Sequence, residues 1–368
     1  MKYISLLSLK MLFFASFLGL VSCDFVDQEY SGTSEIPSHN ISSPQHIALL
    51  LPLTGPLSSA GKSVQAGFMD SYQKALRLGK TEAGVRVYDT TALGGSAYAQ
   101  AIEAGADFVV GPLDKPAVQQ VAGMRLPVTT LVLNYTEANA HSGNLYQLSL
   151  SPLDEALQAA REAWHQGHRA VILIAPSDPW SQNIAQTFVR QWTGEGGRVT
   201  DQLQYTPNQD LNTAVKQLLH VRTQTRAEEN TRERGMRRQD FDLLFLVATP
   251  EMGRQIVPLL RFYYAYNIPI YSTSMIYSGT PDPFRDSDLN GVRFDDMPWM
   301  LGAHAPSGHT PRLYALGQDA FMLTQSFNAL GGGLPGATGT LTLNANQQII
   351  RTLNWAEFKN GKPVVISN

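Results

Sequence analysis

The chain has 368 residues, of which 43% are hydrophobic and 16% are charged, and its net charge is −3. This composition is typical of a globular protein, and the length allows two domains or one bilobed unit. The nearly balanced charge gives no reason to expect nucleic acid or a strongly acidic molecule as a partner.

The N-terminus has the pattern of an export signal. Two lysines accompany an apolar run, Met11 to Leu20, which has signal-peptide length and is too short to span a bilayer. The next residues, Val21-Ser22-Cys23, complete a sequence that resembles a lipobox, in which the cysteine is lipidated. Because Cys23 is the one cysteine of the sequence, we expect a signal peptide over 1–22, a lipid anchor at Cys23 and no disulfides. The alternative is an ordinary secretory signal that ends near a cysteine.

Residues 23–44 are predicted to be the lipidated cysteine and a flexible tether that joins it to the folded body. The segment is rich in Ser, Gly, Thr, Pro and acidic residues and has little periodicity. A flexible coil of this length spans about 25 Å on average, so the body stays close to the membrane that holds the lipid. No later apolar run approaches the roughly 18–20 residues of a transmembrane helix.

Strand and helix patterns alternate from His46 onward. The run Ile47–Leu51 is continuously apolar and predicts a strand buried on both faces of a parallel sheet. A helix is predicted over Ala60–Leu78, because apolar residues recur there at helical spacing and Gly79 follows as a terminator. Further strands are predicted at Val85–Tyr88, Phe108–Val110, Val128–Leu133, Ala170–Ile174, Leu243–Val247 and Pro269–Ser272. Further helices are predicted at Ala97–Ala104, Pro116–Met124, Asp154–Gln166, Ser181–Thr193, Leu211–Thr223 and Glu251–Tyr264.

Two blocks of this alternation, 45–148 and 149–275, predict a two-lobed α/β fold of the type I periplasmic-binding kind. Each lobe is expected to be a parallel sheet flanked by helices. The rest of the chain has one helix pattern, Arg312–Leu330, and then a hairpin pattern over Gly339–Trp355. We assign 45–148 plus 276–332 to the first lobe and 149–275 plus 333–368 to the second.

Several segments, taken in order, resemble one family. The opening strand and loop, Ile47–Leu57, resembles that of type I periplasmic binding proteins and is similar to that of the penicillin-binding-protein activator lipoproteins (LppC/LpoA type). The similarity covers about residues 45–365, and the later segments make it specific. These segments are Tyr88–Thr90, Gly105–Leu113, Leu133–Asn134, Arg237–Asp242, Phe245–Ala248, Ile268–Ser274, Arg312–Ala320, Gly336–Gly339, Arg351 and Trp355.

The resemblance implies a non-catalytic activator of peptidoglycan synthesis. Such a protein would bind a bifunctional (class A) penicillin-binding protein in the periplasm and stimulate glycan polymerisation or crosslinking. Long family members carry a helical-repeat domain ahead of this fold, where this sequence has only the predicted tether. Asp24 resembles an inner-membrane retention signal, whereas the long members are outer-membrane lipoproteins, so both membranes stay open. Our hypothesis is that an inner-membrane anchor brings the body to its synthase.

Polar residues after the predicted strands are candidates for lining a cleft between the lobes. Ligands of open α/β sheets gather at the carboxyl ends of the strands, where these residues are expected. A cleft that binds a small molecule is one interpretation; a vestigial or solvent-filled cleft is the other, and we favour it. The cleft candidates are Thr54, Ser58, Lys62, Asp114, Lys115, Asn134, Tyr135, Asp178, Trp180, Thr249 and Ser274.

Motifs of catalysis and metal binding are weak. Ser59 and Lys62 have the Ser-x-x-Lys spacing of penicillin-binding enzymes, but the companion Ser-Asp-Asn and Lys-Thr-Gly signatures are absent from the sequence. His165 and His168 have no third ligand at metal-site spacing. We therefore predict no enzyme activity, no metal and no cofactor.

The segment 222–240 is rich in arginine with interspersed glutamates. Such a mixed run is usually a solvated helix face, and the alternative is a docking surface, because arginine suits planar contacts at interfaces. The partner-surface candidates are Arg232, Arg234, Arg237 and Arg238. The alternative for the whole protein is a solute-binding lipoprotein of an ABC importer, such as an amino-acid or peptide receptor.

Overall fold

A computed structural model describes residues 41–136, 143–221, 237–302 and 308–366, all of which belong to one compact unit. The predicted signal peptide, Cys23 and nearly all of the predicted tether lie outside these ranges, as does the predicted helix end at Thr223. Within the ranges, no helix combines the length and the apolar character that a membrane crossing requires.

The described residues form two sheets, of which the first has eight strands. In chain order these are β1 (His46–Leu51), β2 (Gly84–Asp89), β3 (Phe108–Val110), β4 (Thr129–Val132), β5 (Leu145–Leu148), β11 (Leu334–Pro335), β12 (Thr340–Leu343) and β13 (Gln348–Thr352). Their spatial order is β11-β12-β13-β5-β4-β3-β1-β2. The pairs from β13 to β2 are parallel, and the pairs β11–β12 and β12–β13 are antiparallel.

The second sheet has seven strands. In chain order these are β6 (Ala170–Pro176), β7 (Arg198–Tyr205), β8 (Leu243–Leu246), β9 (Ile270–Ser272), β10 (Val292–Asp296), β14 (Asn354–Lys359) and β15 (Lys362–Val365). Their spatial order is β15-β14-β10-β9-β8-β6-β7, and the two pairs that involve β14 are antiparallel.

Helices cover both faces of each sheet. They are α1 (Ser58–Arg77), α2 (Thr90–Leu93), α3 (Ser96–Glu103), α4 (Lys115–Ala122), α5 (Pro152–His165), α6 (Pro179–Gly194), α7 (Leu211–Leu218), α8 (Pro250–Leu260), α9 (Pro298–Gly302) and α10 (Pro311–Ser326). A π-helical turn, Arg261–Ala265, follows α8, and a 3₁₀ turn, Phe327–Gly332, follows α10. Separate apolar clusters lie on the two faces of each sheet, so each lobe is a three-layer α/β/α unit.

The two-lobed α/β architecture confirms the predicted fold class. All seven predicted strands are present, as is the hairpin, whose arms are β12 and β13. The continuous apolar runs are buried along nearly their whole length, as β1 and β8 illustrate. Six of the described strands were not predicted: β5, β7, β10, β11, β14 and β15.

The predicted division of the C-terminal segments between the lobes was wrong in two places. Residues 292–296 were assigned to the first lobe, but β10 pairs with β9 in the second sheet. Residues 334–352 were assigned to the second lobe, but β13 adds to β5 in the first sheet. The strand patterns identify β-structure without specifying which sheet edge the strand will join. The described chain therefore passes between the sheets after β5, after β10 and after β13.

Candidate functional site

Several cleft candidates of the first lobe form hydrogen bonds that hold its loops in place. Thr54 Oγ1 donates to Asp89 Oδ2 at 2.7 Å, and Asp89 Oδ1 accepts from the backbone of Leu53 and Thr91. The hydrogen bond from Thr54 is the main reason that the pKa of Asp89 lies below its usual range. This network joins the loop after β1 to the end of β2. Ser58 is half-buried at the start of α1, and Lys62 is exposed.

Cleft candidates in the loops after β3 and β4 also form hydrogen bonds within the fold. Asp114 caps α4 by accepting from the Ala117 backbone at 3.0 Å, and Lys115 is exposed. Asn134 Nδ2 donates to the Leu113 carbonyl at 3.2 Å. Tyr135 donates its hydroxyl to Asp154 Oδ2 at 2.9 Å and so links the first lobe to α5 of the second.

The second-lobe candidates are divided between caps and exposed residues. Asp178 caps α6 by accepting from the Ser181 backbone at 2.9 Å. Trp180 and Thr249 are exposed, and Ser274 is buried. The structure therefore brings several predicted residues to the strand ends, and five of them use side-chain polar atoms to hold the fold: Thr54, Asp114, Asn134, Tyr135 and Asp178.

One cavity of about 550 Å³ lies at this edge of the first sheet. Of the eleven cleft candidates it includes Asp114 alone. Its lining is Pro52, Pro56, Leu57, Thr90, Thr91, Gly94, Asp114, Pro116, Ala117 and Gln120, with no cationic side chain. Such a lining offers no cationic partner to a ligand carboxylate.

Two of the four arginines predicted to form a partner surface, Arg237 and Arg238, are engaged in contacts within the second lobe. Arg237 is only 7% exposed, and its guanidinium donates to the Tyr264 carbonyl at 2.7 Å and to Asn267 Oδ1 at 3.1 Å. Arg238 forms salt bridges with Asp201 and Asp240. Both residues tie the second lobe together, so the docking prediction does not extend to them. Arg232 and Arg234 lie outside the described residues.

The structure instead reveals a buried charged cluster where the two lobes meet, which sequence reasoning missed. We call it the junction cluster: Glu155 of α5, Asp295 and Asp296 of β10, Arg312 of α10, and Arg351 of β13. The three carboxyl groups and Arg351 are each at most 5% exposed. Three acids and two bases cannot all be charged and paired, so at least one carboxyl group is expected to be protonated.

Arg312 forms the first tie between the lobes. Its guanidinium pairs with both carboxylate oxygens of Asp296, Nη2 lying 3.0 Å from Oδ2. The same Nη2 donates to the carbonyls of Ser274 and Tyr277 at 3.0 and 3.1 Å. Because Arg312 begins a helix that packs on the first lobe and Asp296 ends a strand of the second, the pair spans the junction.

Arg351 and Glu155 form the second tie. Arg351 Nη2 lies 4.0 Å from Glu155 Oε1, and Glu155 Oε2 accepts from the Ser274 backbone at 3.0 Å. Arg351 Nη1 donates to the Thr338 carbonyl at 3.4 Å. This tie joins a first-sheet strand to a second-lobe helix.

Burial controls the protonation of the cluster. It raises the pKa of Glu155 to about 7 and that of Asp295 well above its usual range. Within the described residues, neither Asp295 oxygen has a hydrogen-bond partner. Asp295 and Glu155 are therefore the carboxyl groups of the cluster in which burial favours the protonated form, whereas Asp296 is paired with Arg312.

This environment gives a pH dependence of stability. Between Glu155's ordinary pKa of 4.5 and about 7, the folded state holds a proton that the unfolded chain has released. Stability from this group is therefore fully present below pH 4.5 and is lost as pH rises through 7. We expect the urea-unfolding free energy of the wild type to fall between about pH 5 and 7.5, and that of Glu155→Gln to fall less.

A matched control is Glu103→Gln, which neutralises an exposed carboxylate at the end of α3. Its unfolding free energy should fall with pH as steeply as that of the wild type. Equal slopes for the wild type and Glu155→Gln would contradict the assignment.

Comparison with known proteins identifies the family. A family model described as "LppC putative lipoprotein" matches residues 33–361. The chain belongs to the LppC lipoprotein family. A relative of this LppC chain, penicillin-binding protein activator LpoA of Edwardsiella piscicida, is 29% identical over 84% of this chain and 49% of its own length. LpoA of Escherichia coli K12 is 26% identical over 77% of this chain and 48% of its own length. The LppC chain thus spans about half the length of these curated relatives.

Solved structures show the same relationship. The C-domain of LpoA (YraM) from Haemophilus influenzae, a regulator of PBP1A, matches with a TM-score of 0.69 and 26% identity over 88% of this LppC chain and 100% of that one. A "putative branched-chain amino acid ABC transporter" from Chromobacterium violaceum matches with a TM-score of 0.65 and 25% identity, over 85% of this chain and 99% of that one. The likeness confirms the family resemblance and the periplasmic-binding-like fold.

Proposed function

We propose that this LppC-family chain is a lipid-anchored periplasmic protein that binds a bifunctional penicillin-binding protein and stimulates its synthesis of peptidoglycan. The observation that carries the proposal is the match to a regulator of PBP1A, whose C-domain is covered over 100% of its length. The lipid at Cys23 would hold the body near a membrane-bound synthase. The Asp24 hypothesis of an inner-membrane anchor stays part of the proposal.

The proposal assigns no catalysis to the chain. Ser59 and Lys62 lie in the first turns of α1, and both are exposed. A catalytic serine needs an adjacent base and preorganised groups that stabilise the negative charge of the transition state. An exposed helix surface does not offer such groups. A regulator that acts by binding does not require such a site.

The alternative is a solute receptor, favoured by the likeness to the ABC transporter protein. A receptor that closes on an amino acid needs a cationic or backbone-rich site in its cleft and two lobes that move apart. The cavity at the strand ends of the first sheet is lined by first-lobe residues alone, none of them cationic, and two buried ion pairs cross the lobe junction. These features favour a fixed platform over a hinged receptor.

The test is a glycan-polymerisation assay with the mature lipidated protein and the host's class A penicillin-binding proteins. We expect specific binding to one synthase and a severalfold higher rate of lipid-linked substrate consumption. The matched control is a solute-binding lipoprotein from the same host, which should change neither. Binding to none of the synthases, combined with thermal stabilisation by branched-chain amino acids, would contradict the activator proposal and support the receptor.

A further inference from the structure

A second cavity, with a mostly polar lining, lies on the second lobe, away from the junction cluster. It occupies about 270 Å³ between the end of α5 and the sheet. Its lining is Glu162, Gln166, Tyr271, Arg293, Trp355, Glu357, Lys359 and Ile366. Glu162 lies roughly 10 Å along α5 from Glu155, at about 1.5 Å per residue. Arg293 is near the amino-terminal end of β10, whereas Asp295 and Asp296 are at its carboxyl end.

The strand register builds the floor of this cavity. Arg293 is paired with Tyr271 on β9 and with Glu357 on β14, so the three side chains lie in one row across adjacent strands. Trp355 packs its ring against Tyr271, with centroids 5.4 Å apart, and forms an apolar wall. The row is fixed by backbone pairing and does not depend on a loop.

The charged groups of the row hold one another only loosely. Arg293 Nε lies 3.4 Å from Glu357 Oε2, and Nη1 lies 3.3 Å from the Tyr271 hydroxyl, both longer than the usual distance of about 2.9–3.0 Å. Lys359 Nζ lies 4.0 Å from Glu357 Oε1. A guanidinium has five N–H donors, and within the described residues Arg293 uses two. Its side chain is 36% exposed, so a ligand can reach it.

The cavity carries both signs of charge in equal number. Arg293 and Lys359 are cationic, and Glu162 and Glu357 are acidic. Glu162 Oε1 accepts from Gln166 Nε2 at 2.8 Å, which positions this carboxylate on the helix side of the cavity. A cationic pair on the sheet faced by a carboxylate on the helix matches a ligand that has a carboxylate and an ammonium group a few ångströms apart. The volume lies just below the range of roughly 300–1,000 Å³ of drug-sized pockets, which suits an amino-acid-sized group.

We propose that this cavity binds a zwitterionic α-amino-acid group, with its carboxylate on Arg293 and its ammonium on Glu162 and Glu357. The shared chemistry has two sources: a free amino acid, or a peptide whose side chain ends in such a group. The site is distinct from the strand-end cleft and does not depend on the proposed function.

The experiment is calorimetric titration of the mature full-length protein with four probes. Diaminopimelate carries an α-amino-acid zwitterion at each end, N-acetylglycine carries the carboxylate alone, and glycinamide carries the ammonium alone. The fourth is an N-acetylated, C-amidated peptide that contains diaminopimelate. We expect saturable binding of diaminopimelate and no binding of the two single-charge probes. Equal binding of N-acetylglycine would overturn the proposal by revealing a simple anion site.

If the N-acetylated, C-amidated peptide binds as tightly as diaminopimelate, the site is assigned to peptide side chains. If this peptide does not bind, the site is assigned to free amino acids.

Arg293→Gln should weaken diaminopimelate binding about tenfold or more, because the hydrogen bond that it removes is charge-assisted. Glu162→Gln, on the half-exposed side of α5, should weaken it without disturbing the sheet. Arg77→Gln, at the exposed end of α1, is the matched control. Unchanged affinity in both Arg293→Gln and Glu162→Gln would overturn the site.

Discussion

Replacing Arg312 with methionine is expected to destabilise the folded body by about 3–5 kcal/mol. The change leaves Asp296, which is fully buried, without its cationic partner, and an uncompensated buried charge costs far more than the intact pair contributes. The carbonyls of Ser274 and Tyr277 also lose the guanidinium that bonds them. Urea unfolding at neutral pH, followed by circular dichroism, measures the loss.

Two further variants make this result specific. Arg77→Met removes an exposed arginine from α1 and should change stability by no more than about 0.5 kcal/mol. The double variant Arg312→Met/Asp296→Leu removes both charges and should recover part of the loss, since buried pairs are often replaceable by apolar residues. A double variant less stable than Arg312→Met alone would contradict the paired-charge explanation.

The sequence predicted the strands that are apolar throughout, whereas all of the strands that it missed contain polar residues or proline. β1, β3, β6 and β8 are built on continuous apolar runs, and each lies inside its sheet. β7 is one of the two edge strands of the second sheet and is mostly half-buried, so its polar residues gave no apolar run. β10 ends in two aspartates that are typical of a loop, although here they are buried at the junction.

Several cleft candidates lie at strand ends, where their observed hydrogen bonds are those that hold the fold. Asp114 and Asp178 stand between a strand and a helix, where an aspartate can cap the helix or contact a ligand. Both uses place the same residue type at the same position, so only the observed hydrogen bonds separate them. Sequence reasoning could not choose between them.

The junction cluster left a signal that could have been used. Arg351 occupies a buried position of β13, and a charged residue at an inward position requires a buried partner. Its partner Glu155 comes from the other lobe, and nothing in local spacing reveals that contact. The tertiary structure was needed to bring the five residues together.

Replacing Gly317 with alanine is the second large effect that we expect, a loss of about 1–3 kcal/mol, which is the range for overpacking. A Cβ atom at Gly317 of α10 would lie 2.0 Å from the backbone carbonyl oxygen of Val64 on α1. The contact is reciprocal, because a Cβ atom at Gly67 would lie 1.9 Å from the Tyr314 carbonyl oxygen. No side-chain rotation relieves a clash with backbone, so the two helices must separate.

Gly194→Ala is the control, because this residue ends α6 and, among the described residues, no atom beyond its chain neighbours and its own helix backbone lies within 4 Å of the position that its Cβ atom would take. Alanine there should be neutral or stabilising by up to about 1 kcal/mol, the difference in helix propensity. Since α10 also carries Arg312, its displacement should weaken the tie to Asp296. Gly317→Ala combined with Arg312→Met should therefore lose less than the sum of the single losses. Urea unfolding of the four variants measures this; a Gly317→Ala variant as stable as Gly194→Ala would show that the helices tolerate the added methyl group.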